Sequence, residues 1–195
     1  MGKIKSAWEI VLERTGDIQV DKDKLRHQQA VDKIRRASGA YLSDDKAEDE
    51  LVKEIESVTD RSALNEALSA LLSSNLSISE TVNETRLGKL LTVVSLLAGN
   101  SPQLVQFTQQ IIGFIKQYPV QRDDLLKRLA EQYQPMLAEK EAKLSEQYGQ
   151  PVHLSAENDK EFMQMANKNL ERLTQQYTET LQGAKEQLEE LIKRL

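Results

Sequence analysis

The sequence predicts an all-α protein, and three observations carry that prediction. Leu90 to Ile115 reads LLTVVSLLAGNSPQLVQFTQQIIGFI and holds no Asp, Glu, Lys or Arg, although those residues make up 29% of the chain. Its centre is helix punctuation: Gly99 suits a left-handed position after a helix, Ser101 an N-cap and Pro102 a first turn. Second, the C-terminal stretch repeats apolar residues at helical spacing as far as Leu195. Third, eight Gly and four Pro in 195 residues are too few turns for a sandwich or barrel. The expected architecture is a multi-helix core domain (44–118) around the central apolar hairpin. A long, coiled-coil-like helical hairpin (121–195) follows it, and a basic N-terminal arm (1–43) precedes it.

Element by element, Ser6 caps a short helix, Glu9 completes an S-x-x-E capping box, and Gly16 stops it. Trp8, Val11 and Leu12 share one face of that helix. A second helix opens at Asp21 or Asp23 and runs to about Ala37, with a thin stripe of Leu25, Ala30, Val31 and Ile34. Asp44, Asp45, Glu48 and Asp49 favour the start of a third, where the dipole welcomes acids, with Ala47, Leu51, Ile55 and Val58 buried. Ser62–Ser73 presents Leu64, Ala67, Leu68, Leu71 and Leu72. The apolar hairpin follows as Ser79–Ala98 and Pro102–Tyr118, ended by Pro119, with Leu91, Val94, Leu97, Ile111 and Ile115 in its core.

Residues 121–148 continue with Leu125, Leu129, Tyr133 and Leu137, and Pro135 predicts a kink or break. Ser155 and Asn158 offer caps for a last helix. From Leu181 its apolar steps run 3-4-3-4 through Ala184, Leu188 and Leu191 to Leu195, a heptad seam. That seam suits packing against 121–148, or self-association through Leu181, Leu188 and Leu195.

Lys5-Ser6-Ala7-Trp8-Glu9-Ile10-Val11-Leu12-Glu13-Arg14-Thr15 resembles the opening S-A-W-E-I-A-L-E-[RK]-T of a family of short bacterial proteins of unknown function. Val11 stands where that family usually has Ala. The resemblance implies a bacterial cytosolic protein, mostly helical, with no assigned activity.

Charge and composition narrow the function. A net charge of −5 argues against general nucleic-acid binding, and zero Cys excludes disulfides and thiolate chemistry. No apolar run reaches the ~20 residues of a membrane span. His27 and His153 stand alone without metal-ligand spacing and read as surface residues. No cofactor motif occurs, and no nucleophile–base–orienter set is recognisable, so the protein is not expected to be an enzyme. The expectation is a cytoplasmic adaptor, scaffold or assembly factor with a protein partner, docking through Trp8, Val11 and Leu12. The alternative is an accessory factor of a ribosome or other nucleic-acid machine. Its phosphate contacts would be Lys22, Lys24, Arg26, Lys33, Arg35 and Arg36 of the basic arm.

Overall fold

The computed structural model describes residues 22–99 and 101–195, and all regular structure among them is helical. We number the helices α1 (Lys22–Leu42), α2 (Glu48–Glu56), α3 (Arg61–Asn75), α4 (Glu84–Ala98), α5 (Pro102–Tyr148) and α6 (Lys160–Ile192). A 3-10 turn at Ala156–Asn158 precedes α6. The chain divides into two units within α3, one ending at Ala70 and the other spanning Leu71–Leu195. The sequence places its divisions elsewhere, at 43–44 and at 119–120.

In the first unit, α1 outruns its predicted end by more than a turn. Its buried face is Val31, Ile34, Ala37, Ser38, Tyr41 and Leu42, whereas Leu25, expected in the stripe, is 48% exposed. The thin stripe thus thickens toward the C-terminus, where α1 packs against α2. Asp44 and Asp45 belong to the end of α1 rather than the start of α2. Asp44 adopts φ 64°, and the amides of Asp44 and Asp45 donate to the carbonyls of Tyr41 and Ala40, a Schellman closure. An aspartate tolerates that left-handed position better than a branched residue. Glu48, Asp49 and Glu50 then fill the first turn of α2, which buries Leu51 and Ile55. Ala47, predicted buried, lies exposed at the N-cap. Asp60 caps α3, its Oδ1 accepting from the Ala63 amide at 3.1 Å. The predicted face of α3 is buried in full, from Leu64 to Leu72.

In the second unit, Asn83 caps α4 by accepting from the Arg86 amide at 2.9 Å, so α4 begins at Glu84 rather than Ser79. Leu87, Leu90, Val93, Val94 and Leu97 are buried, and Leu91 is only half-buried. The chain turns at Gly99, whose φ of 58° favours glycine, and re-enters a helix at Pro102. Ile111 and Ile115 are buried as expected.

Pro119 does not end that helix. α5 continues for 47 residues, about 70 Å at 1.5 Å per residue, with Pro119 and Pro135 both inside it. Each proline removes one backbone hydrogen bond, at a cost of about 3 kcal/mol. Burial nearby offsets it: Ile115 and Tyr118 before Pro119, and Tyr133 and Leu137 on either side of Pro135. Pro135 itself is exposed, so its ring strains no packed neighbour.

α6 runs antiparallel along α5. At one end Phe162 and Ala166 pack with Leu129, Tyr133 and Leu137. Further along, Tyr177 stacks on Phe114 at 4.6 Å and meets the Tyr118 ring edge-on at 5.2 Å. The Tyr118 hydroxyl lies 2.8 Å from Thr174 Oγ1. The C-terminal part of α6 therefore lies beside the first half of α5, not beside 121–148 as the sequence suggests. Its buried seam is Tyr177, Leu181, Leu188 and Ile192, while Leu191 and Leu195 are half-buried. The helix ends at Ile192, so that residue closes the seam and Leu195, three residues further on, lies outside the helix.

Candidate functional site

Three side-chain constellations stand out. The first is a groove between the beginning of α5 and the end of α6. The antiparallel alignment sets Gln103, Gln106, Phe107 and Gln110 across from Gln187, Glu190, Leu191 and Arg194, around a cavity of about 380 Å³. Phe107 and Leu191 are half-buried in its lining, beside the amides of four glutamines. Glu190 and Arg194 approach to 3.8 Å with side chains 69% and 74% exposed, a pair that water screens almost completely.

The second lies where α5 turns into α6. Lys140 Nζ donates to Asp159 Oδ2, Glu161 Oε2 and the Tyr133 hydroxyl, each at 2.7 Å. Tyr133 in turn donates to Asp159 Oδ1 at 2.7 Å, the oxygen that also caps α6 through the Glu161 and Phe162 amides. The Lys140 ammonium holds Asp159 well below the usual carboxylate range, and Asp159 with Glu161 pushes Lys140 up. Both shifts favour the charged forms, opposite to what a general base or acid needs near neutral pH. Nearby, Glu141 accepts the Leu154 amide at 2.7 Å and Ser145 accepts the Val152 amide at 2.9 Å. The cluster is a latch that fastens the connecting loop to α5.

The third is in the first unit. Lys33 and Lys46 both reach Glu54, at 3.4 and 2.9 Å, beside a cleft of about 530 Å³ that Arg36 also lines. His27 sits between Asp60 (2.8 Å) and Glu66 (2.9 Å), tying α1 to α3 rather than standing free on the surface.

The residues singled out from sequence fare unevenly. Trp8, Val11 and Leu12 lie outside the described residues. Helical spacing puts Lys22, Arg26, Lys33 and Arg36 on one face of α1 and Lys24 and Arg35 on the other. Of the three leucines named for self-association, Leu181 and Leu188 are 5% and 1% exposed, turned into their own chain, and Leu195 is half-buried. Neither the groove nor the latch was singled out from sequence. Gln103, Gln106 and Gln110 at helical spacing around Phe107 hint at the former, but its other wall comes from residues far along the chain. No group of three or more metal-ligating side chains occurs among the described residues, and no helix there is long and apolar enough to cross a membrane.

Fold and surface define an all-helical protein whose second unit is built on a long antiparallel helical hairpin. The chain belongs to a family of unknown function (DUF6657), which it matches over residues 48–190, from the start of α2 almost to the end of α6. The match agrees with an uncharacterised helical domain, and residues 5–15 fall outside it. No curated protein matches the chain, and no solved structure does.

Proposed function

We propose that this protein is a non-catalytic adaptor or assembly factor of the bacterial cytoplasm, docking a protein partner through helices. The observation that carries the reading is the α5–α6 groove, lined by Phe107 and Leu191 together with four glutamines. An amphipathic helix laid along it would bury its apolar face on Phe107 and Leu191, while the amides satisfy its polar flank. The sequence adds Trp8, Val11 and Leu12 as a second contact of the same kind, since aromatic anchors concentrate binding energy. The test is affinity capture with the wild-type chain, with Phe107→Glu/Leu191→Glu, and with a chain lacking residues 1–16. The first variant should lose a partner that wild type retains at stoichiometric yield. Identical captured proteins from wild type and groove variant would overturn the reading.

A second reading, contact with a nucleic-acid machine, is favoured by the shared face of Lys22, Arg26, Lys33 and Arg36. It ranks below the first because Asp23 lies 3.9 Å from Arg26 and the chain carries a net charge of −5. Binding of that kind should weaken steeply with salt, whereas apolar docking should not.

A further inference from the structure

The cleft between α1 and α2 has a chemistry of its own, independent of the docking groove. Three cationic side chains converge on it, Lys33, Arg36 and Lys46, against the carboxylates of Glu54 and Asp32. Glu54 takes two of them at once: Lys46 Nζ at 2.9 Å on Oε1 and Lys33 Nζ at 3.4 Å on Oε2. Lys33 also donates to Ser57 Oγ at 2.7 Å, and Ser57 donates to the Glu54 carbonyl at 2.6 Å. The lysines are thus held in position, Lys46 with only 18% of its side chain exposed. Lys46, with Lys33 behind it, keeps Glu54 below its ordinary range, so the carboxylate stays charged and the arrangement stays intact. Arg36 differs. Its guanidinium lines the same cleft and has no hydrogen-bond or ion-pair partner among the described residues. The lining beneath these groups includes Ala37 and Ala40, which leave the space open.

An unpaired guanidinium fork beside two fixed ammonium groups, with a surplus positive charge in a chain of net −5, suits a tetrahedral oxyanion. We propose that the α1–α2 cleft binds a phosphate group, which Arg36 grips with two parallel N–H donors while Lys33 and Lys46 supply point charges. A free phosphoester and the backbone of a nucleic acid both carry that group. Lys33 and Arg36 stand on α1 and Lys46 on the turn before α2, so the three cations can face one phosphate whatever is attached.

Calorimetric titration of the full chain with inorganic pyrophosphate tests this. Wild type should bind one equivalent. Arg36→Gln should weaken binding about 10- to 100-fold, the loss expected for hydrogen bonds to a charged group. Arg36→Lys should fall between them, keeping charge without the fork, and Arg194→Gln, in the other unit, should bind as wild type does. Arg36 is exposed, so unchanged circular dichroism will show that the variants are folded. A parallel titration with a short single-stranded oligonucleotide separates the sources. Binding much tighter than pyrophosphate assigns the site to a backbone, and equal or weaker binding assigns it to a small phosphoester. Absence of pyrophosphate binding at millimolar concentration, or equal affinity in Arg36→Gln, would overturn the proposal.

Discussion

A neutral imidazole has one N–H to give, yet both ring nitrogens of His27 face carboxylate oxygens, Asp60 at 2.8 Å and Glu66 at 2.9 Å. Only the protonated ring satisfies both. The bond to Glu66 and then that to Asp60 raise its pKa above 6.5. Because the folded value exceeds the unfolded one, the clamp is fully formed below the unfolded pKa and is lost as pH climbs through the folded value. The first unit should therefore melt at a higher temperature at about pH 5.5 than at about pH 8.5, and His27→Gln should flatten the difference. An unchanged pH profile in that variant would remove His27 from the account. Ser38 poses a complementary case. Its hydroxyl is fully buried with no partner, so Ser38→Ala should raise unfolding free energy by about 1 kcal/mol in urea titrations. Both residues show why the sequence misleads at this scale. Ser38 and Gly39 look like the polar end of a helix, although the chain around them buries Ala37, Tyr41 and Leu42. His27 looks solitary because its partners are 33 and 39 residues away.

Among the helices, those defined by their own residues were legible. Leu90–Ile115 announces a buried hairpin because nothing charged interrupts it, and Ile111→Ala should cost about 2–5 kcal/mol at a site 3% exposed. A denaturation midpoint unmoved by that change would take Ile111 out of the core. Helix ends were harder to read. Pro119 and Pro135 are local arguments for breaks, and they lose to ring contacts made by residues far along the chain, Tyr177 on Phe114 and Phe162 on Tyr133. Since Pro135 is exposed within a continuous helix, Pro135→Ala should stabilise the protein, by about 3 kcal/mol at most. A drop in the urea midpoint would mean that the proline serves a kink the helix needs. Leu188 was legible as a seam residue, whereas the exchange of Leu195 for Ile192 depends on where α6 ends, which apolar spacing alone does not fix.

For the whole molecule, the all-α class follows from composition, but the groove does not, because it exists only once α6 is placed beside the first turns of α5. Under the alternative reading, with a helix ending at Pro119 and α6 folded on 121–148, Gln187 would have no reason to approach Gln103. The groove, and with it the proposed docking function, rests on that single alignment. The chain contains no cysteine, so an introduced pair reports without background. Gln103→Cys/Gln187→Cys, treated at high dilution with a short thiol-specific crosslinker, should give a fast-migrating intramolecular product in the native state and none in denaturant. Failure to crosslink in the folded protein, or crosslinks formed only between two chains, would contradict the alignment of α5 with α6.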